Sequence, residues 1–418
     1  MAIHPRADIL SGFGIQLKGP DEAPETLDRV AAAGFRVVRR GFIWEAVERD
    51  RGVFDFSRYD AFVEACAARG LRIIGCIAFG HRLYPPVREP EGRRAWAAFA
   101  AALAARYAGR DILWELWNEP NVCTFWGRHG THNSHRYADE YIALVREAVP
   151  AMRAAAPACR IAVGAVSGCW SASYEWMAYA FRHGLLGCGA DVLSVHPYST
   201  YVPEDYAGAY ARIRGLMAYA GVPADFPIAD TERGYPIGRP TGNNPDELLA
   251  EMGFHPDDGT GRSEAAARQA ALAVRQVLVD AWLGTALTSW YEWAGDEGFG
   301  LVLPSGAETP ALDALRVLAR TLDGFRLDGR LDVGHERAFC LRFRNGAGAT
   351  RLVLWCAPPE GERESANAPR DVPLPVPAAD IAAMHDLHGR PLPLPADGPL
   401  TLTGYPVTLM LKAASRPH

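Results

Sequence analysis

From Ser11 to about Leu322, short apolar runs alternate with long alanine-rich stretches, and the two kinds of segment differ in period. The short runs are GFGIQL (12 to 17), FRVVR (35 to 39), LRIIGCIAF (71 to 79), DILWELW (111 to 117), RIAVGAV (160 to 166), DVLSVH (191 to 196), FPIADTE (226 to 232) and ALTSWY (286 to 291). Each has the length and the branched or aromatic content of a strand. Between them, segments such as RRAWAAFAAALAARYAG and SEAAARQAALAVRQVLVDAWLG repeat apolar residues at three and four, the period of a helix with one buried face. Eight strand–helix pairs in about 310 residues close most simply into a (β/α)8 TIM barrel, with a doubly wound open sheet as the other fold of this class.

After LARTLDG the pattern changes to AFCLRFR, the turn NGAGA, TRLVLWCA and finally LTLTGYPVTLML, all with strand period. The proline-rich stretches APRDVPLPVPAAD and GRPLPLPADG between them are excluded from central strands. Two domains are expected: a barrel over residues 1–322 and a small all-β, sandwich-like unit over 323–418. The second unit reads as an accessory that packs on one side of the barrel more than as a dedicated sugar-binding module.

Composition narrows the chemistry. The 43 basic and 49 acidic residues leave no cationic excess, which argues against nucleic acid or membrane surfaces as partners. No basic leader with an apolar core and no 18-residue apolar run is present, so the reading is a cytoplasmic chain, with secretion left open if the start lacks a leader. The eight cysteines form no CxxC spacing and read as reduced thiols, with a Cys340–Cys356 disulfide across the NGAGA hairpin as the open exception. Lysine occurs only at Lys18 and Lys412, so a Schiff-base mechanism inside the barrel has Lys18 alone to use. No cofactor and no metal are implied, and the oligomeric state is not legible.

Reactive groups in a barrel sit where strands end and βα loops begin. The fourth run ends in LWNEPN, which places Asn118 and Glu119 at the mouth, and the seventh ends in DTERGYP, which places Glu232 there. Two carboxyl groups facing one another suit glycosidic bond cleavage: one protonates the leaving oxygen, and the other, when only ~5 to 5.5 Å away, attacks the sugar so that configuration is retained. Glu115 and Asp230 share the strand faces of Glu119 and Glu232 by period two and lie deeper, Glu115 by ~13 Å, where it is expected to pair with Arg39 or Arg40. Glu292 in WYEW is the alternative mouth carboxylate.

The series FAAALAARYAGRDILWELWNEPNVCTFW, SVHPYS, PIADTERGYP and SWYEW with FGLVLPSGAETPALDAL resembles glycoside hydrolase clan A, especially its family 39-like and family 5-like bacterial glycosidases. The resemblance runs from about Phe35 to Leu322. It implies Glu119 as general acid/base, Glu232 as nucleophile and Asn118 on the sugar 2-hydroxyl. It also implies that Arg39 holds the nucleophile, with Arg40 an alternative by one position, and that His196 and Tyr198 stand near the two carboxylates. The product is a retaining hydrolase of an oligo- or polysaccharide; a transglycosylase or a silent carbohydrate-binding barrel would carry the same residues.

Trp44, Trp126, Trp290, Tyr291 and Trp293 all follow predicted strands, and indoles offer flat faces to sugar rings. Trp290 is the expected platform beneath the cleaved sugar, with Trp293 the alternative; Trp126 and His81 are further candidate substrate contacts. His129, His132 and His135 are spaced by three but have no carboxylate among them, which argues against a metal site. The glycine- and proline-rich insert from Pro236 to Gly261 is expected to form cleft wall. Arg233, beside the nucleophile, suggests a subsite for an acidic sugar.

Overall fold

The computed structural model describes residues 8–127, 130–198, 201–237, 262–295, 298–364, 367–394 and 398–412. Eight parallel strands close into a ring: β1 (Phe13–Gln16), β2 (Val37–Ile43), β3 (Arg72–Ala78), β4 (Ile112–Leu116), β5 (Arg160–Ser167), β6 (Val192–His196), β7 (Ile228–Arg233) and β8 (Thr288–Trp290). Every apolar run read as a strand is one of these, and the open sheet is ruled out because β1 pairs with both β2 and β8. Among the described residues, eight helices of nine or more residues surround the ring: α1 (Pro24–Ala32), α2 (Ser57–Ala68), α3 (Pro90–Arg106), α4 (His135–Ala155), α5 (Ser171–Arg182), α6 (Tyr206–Tyr219), α7 (Arg262–Trp282) and α8 (Pro310–Leu322). Helix α8 shows the packing rule plainly: Ala311, Leu312, Leu315, Leu318, Ala319 and Leu322 form its buried stripe. A short hairpin, Glu48–Asp50 with Val53–Phe54, follows β2 and has no counterpart among the apolar runs.

The ring interior is layered. Val37, Ile74, Leu113, Ala162, Val192 and Ala229, one from each of β2 to β7, make a dry floor. Two residues further along the same faces stand Arg39, Cys76, Glu115, Ser194 and Thr231, so the floor carries a polar layer at the next pleat. The reactive mouth lies above it.

Beyond α8 the chain forms an antiparallel sheet from β9 (Phe325–Arg330), β10 (Ala338–Asn345), β11 (Thr350–Cys356), β13 (Ile381–His385), β14 (Pro391–Leu392) and β16 (Val407–Leu411), in the order β9-β10-β11-β16-β13-β14. A separate pair, β12 (Arg370–Val372) and β15 (Leu400–Leu402), packs Val372, Leu400 and Leu402 against the outer face of that sheet, giving the sandwich-like layering. The inner face joins the barrel's own core: Phe339 meets Trp282 of α7 edge-on at 5.6 Å. At the same seam Arg275 of α7, fully buried, donates to both oxygens of Glu204 (2.8 and 2.6 Å) and to Glu364 (2.6 Å), while the Trp355 indole also donates to Glu204. Cys340 and Cys356 are free thiols; each faces an apolar residue across the β10–β11 ladder, Leu354 and Ala338.

Candidate active site

The guanidinium of Arg39 organises the pocket. Nε donates to Glu115 at 2.7 Å, Nη1 to Glu232 at 2.5 Å and to Gln16 at 2.8 Å, and Nη2 to Asn118 at 2.7 Å. Arg40, one position on, points outward to Glu22 at 2.6 Å, which settles the choice between the two arginines. Glu115 is wholly buried. Burial pushes its carboxyl up, but the charge of Arg39, then that of His196 and a hydrogen bond from Thr231, outweigh this and hold it below the usual carboxylate range. It is the structural acid expected of it, and its partner is Arg39.

Two backbone irregularities bring the mouth carboxylates into the pocket. On β7, Asp230 pairs with Thr288 and Arg233 with Trp290, three steps against two, so a bulge breaks the alternation. Thr231 and Glu232 consequently both reach the interior, whereas Asp230 and Arg233 face outward. After β4, Trp117 and Glu119 hold φ of 75° and 47°, left-handed values that cost non-glycine residues roughly 1–3 kcal/mol each. The first turns Trp117 out against Trp96 and Trp126, and Asn118 and Glu119 turn in.

Glu119, Glu232 and His196 meet there: one oxygen from each carboxylate and a ring nitrogen all lie within 4.8 Å of one another. His196 Nδ1 is 2.9 Å from Glu119, and the Tyr198 hydroxyl donates to Glu232 at 3.0 Å. Burial and then the charge of Glu232 push the Tyr198 phenol far above its usual range, so it remains a donor. Spacing alone would let the three residues hold an ion. The buried Arg39 cation already on Glu232 opposes a second positive charge. His132 engages Cys123 and His135 stacks on Tyr179, so neither joins a shared ligand set, and His129 lies outside the described residues, as does the insert beyond Ile237.

Several expectations are corrected. Asp230 does not share the face of Glu232; it sits behind the ring against Asp280, and burial followed by that neighbouring carboxyl drives it well above its usual range. Arg233 is buried and lies 5.1 Å from the Tyr198 ring centroid. It donates to the Tyr206 hydroxyl (3.1 Å) and Gly234 O (2.5 Å), and lies 3.9 Å from the Tyr235 ring centroid, so its guanidinium is turned to the aromatic wall behind β7. Trp290 is not the platform: it shares the outer face of β8 with Thr288, which accepts from Gln276 of α7, and its indole donates to Phe299 O. Trp44, Trp126 and Trp293 are buried too, and the Trp126 indole donates to Glu140. The aromatic beside Glu232 is instead Tyr291, packed with Phe299 and Tyr198. Gly234 permits this approach, because a Cβ there would lie 2.1 Å from Tyr291 O. Glu292 is withdrawn from the contest by Lys18, whose ammonium lies 2.5 Å from it and 5.0 Å from the Tyr291 ring centroid. Burial lowers the Lys18 pKa, but Tyr291 and Glu292 outweigh it, so the amine stays charged and unsuited to Schiff-base chemistry. His81 stands apart from the pair: Nδ1 accepts from Leu83 N–H, and Nε2 lies 2.6 Å from Glu48 O.

The pocket thus combines a closed parallel ring, an Asn–Glu pair following β4 and a glutamate at the end of β7. Residues 7–220, just over half of the chain, match the profile of Cellulase (glycosyl hydrolase family 5). The chain belongs to this family. As a family 5 glycoside hydrolase it is a member of clan A and its substrate is a carbohydrate. Its fold is similar to a family 39 glycoside hydrolase from Bacteroides cellulosilyticus WH2, with TM-score 0.73 and 18% identity over 98% of this chain and 81% of that one. A monomeric β-xylosidase from Caulobacter crescentus CB15 (TM-score 0.67, 16% identity) aligns over 99% of this chain and 98% of its own. A family 30 endoxylanase from Clostridium papyrosolvens C71 (0.59, 12%) has the same coverage. No curated protein matches this family 5 chain in sequence. No helix among the described residues is long and apolar enough to cross a membrane.

Proposed function

We propose that the protein hydrolyses a glycosidic bond with retention, by double displacement, with Glu232 as nucleophile and Glu119 as general acid/base. The observation that carries this reading is the close approach of two carboxylates with unequal company. Glu232 accepts from a guanidinium and a phenol, which fix and aim its oxygens, whereas Glu119 meets the imidazole of His196. The 4.8 Å limit on their separation favours direct attack over an intervening water, which needs ~6.5–9.5 Å. In the first step Glu232 bonds to the anomeric carbon while Glu119 delivers its proton to the departing oxygen. In the second, Glu119 takes a proton from water as that water displaces Glu232. Asn118, fixed by Arg39, is placed to bond the sugar 2-hydroxyl, and Tyr291 to lie against the ring.

Aryl β-xylosides and β-glucosides form the first substrate panel, since a β-xylosidase and a glucosidase are among the structural neighbours. Replacing Glu232 by alanine is expected to abolish aryl glycoside turnover, with azide restoring it and giving a glycosyl azide of inverted configuration. Turnover unchanged in that variant would refute the nucleophile assignment.

A further inference from the structure

A groove of about 350 Å3 opens between the loop after β3 and the turn after β4, on the same end of the ring as Glu119. Its wall is braced from below. Arg51 of the short hairpin donates twice to Leu83 O (3.0 and 2.8 Å) and lies over the Tyr84 ring. The Tyr84 hydroxyl donates to the buried Glu48, and His81 ties Glu48 O to Leu83 N. On the far side a Cβ on Gly92 would lie 2.3 Å from Pro85 O, so glycine lets the loop seat directly on α3. A loop pinned at this many points is a preformed surface, as binding sites are.

The groove's chemistry is specific in two respects. Phe79, half-buried, and Phe125, 37% exposed, stack with centroids 6.1 Å apart and planes 12° from parallel, putting aromatic surface on the groove wall. Such faces accept the C–H face of a sugar ring. Arg88 lines the opposite rim, and its guanidinium has no carboxylate or carbonyl partner among the described residues. Among the described residues no acidic side chain lines the groove, and His81 has both ring nitrogens engaged. An unpaired guanidinium is a fork of donors matched to a carboxylate.

We propose that this groove is a subsite for a carboxylate-bearing sugar unit, a uronic acid residue of the substrate, with Phe79 and Phe125 as platform and Arg88 as anchor. The proposal rests on the glycosidase reading above and adds the substrate class to it. Phe125 follows Glu119 by six residues in a turn hydrogen-bonded back to it through Val122, so the groove wall and the acid/base candidate are carried on one short backbone segment.

The test uses the full-length protein and two matched probe pairs: glucuronate-branched xylo-oligosaccharides and oligogalacturonates, each against its carboxyl-reduced form. Calorimetric titration should find the acidic member of at least one pair bound about tenfold tighter, with the ratio falling to within twofold in Arg88→Gln. Phe125→Ala should weaken both members by the same factor. Aryl glycoside turnover, which needs the catalytic pocket alone, should be unchanged in both variants. Equal affinity within both pairs, or a preference that persists in Arg88→Gln, overturns the proposal. Persistence of aryl glycoside turnover in Glu232→Ala would instead defeat the catalytic reading, and the titrations would still decide the subsite.

Discussion

Replacing Arg39 by methionine tests the electrostatic core of the pocket. The substitution keeps most of the apolar stem but leaves Glu115, with no exposed side-chain surface, without its cation. Breaking a buried pair from one side costs about 3–5 kcal/mol, because the orphaned charge stays in low dielectric. With about 2.1 cal/mol/K of unfolding entropy per residue, 418 residues give roughly 0.9 kcal/mol/K, so the midpoint should fall by about 3–6 °C at neutral pH. The pH dependence identifies the cause. In the native protein the folded pKa of Glu115 is lowered, so its contribution is present above the unfolded value, near 4.3, and is lost as pH falls through the folded value. Without Arg39, burial, the largest influence, is opposed only by His196 and the Thr231 hydrogen bond and raises that pKa, so the variant loses stability as pH rises. Scanning calorimetry from pH 4.5 to 8 should therefore show the gap to the native protein widening with pH, by at most about 1.4 kcal/mol per unit. Adding Glu115→Gln should recover at least half of the loss. A gap that is constant with pH, or a double variant as unstable as the single one, would show that Arg39 acts through packing and not through charge.

Three further outcomes follow from the same geometry. Tyr198→Phe removes one hydrogen bond to Glu232, about 1.5–3 kcal/mol, and should lower kcat by roughly 10- to 150-fold while the melting midpoint falls by no more than about 3 °C; steady-state kinetics with calorimetry checks both. Tyr291→Ala should raise KM for aryl glycosides several-fold, whereas Trp290→Phe should lower the midpoint and leave KM alone, and the reverse pattern would restore Trp290 as the platform. Asp230 has a raised folded pKa, so its contribution is full below the unfolded value, near 3.9, and declines as pH rises through the folded one; Asp230→Asn should remove that decline, measured as a flatter midpoint as pH rises above about 4.

The fold was legible because its signal is local and repeated. Each strand run carries its own period, each α-helix such as α8 its own stripe, and only one closed arrangement buries eight such pairs at once. The site was legible in part for the same reason. Asn118, Glu119 and Glu232 stand at strand ends, and a strand end in a parallel barrel is a mouth position whatever the rest of the chain does. Lys18 also follows β1 closely enough to be placed there, although its partner Glu292 required the β8 loop to be in position.

What sequence pattern misplaced were the side chains that depend on local phase. Strict alternation puts Asp230 with Glu232, and Trp117 with Glu115. The bulge on β7 and the left-handed backbone at Trp117 reverse both. The same limit applies to the tryptophans: a large aromatic after a strand fills a gap to the helices as readily as it lines a cleft, and Trp290 and Trp293 do the former. The sequence by itself therefore determined the ring of strands, its second β unit and the identity of the two facing carboxylates. Only the tertiary structure decided which neighbours share their pocket, because a one-residue change of phase costs little locally and is selected by contacts, such as Arg39 with four partners, that exist only once the ring has closed.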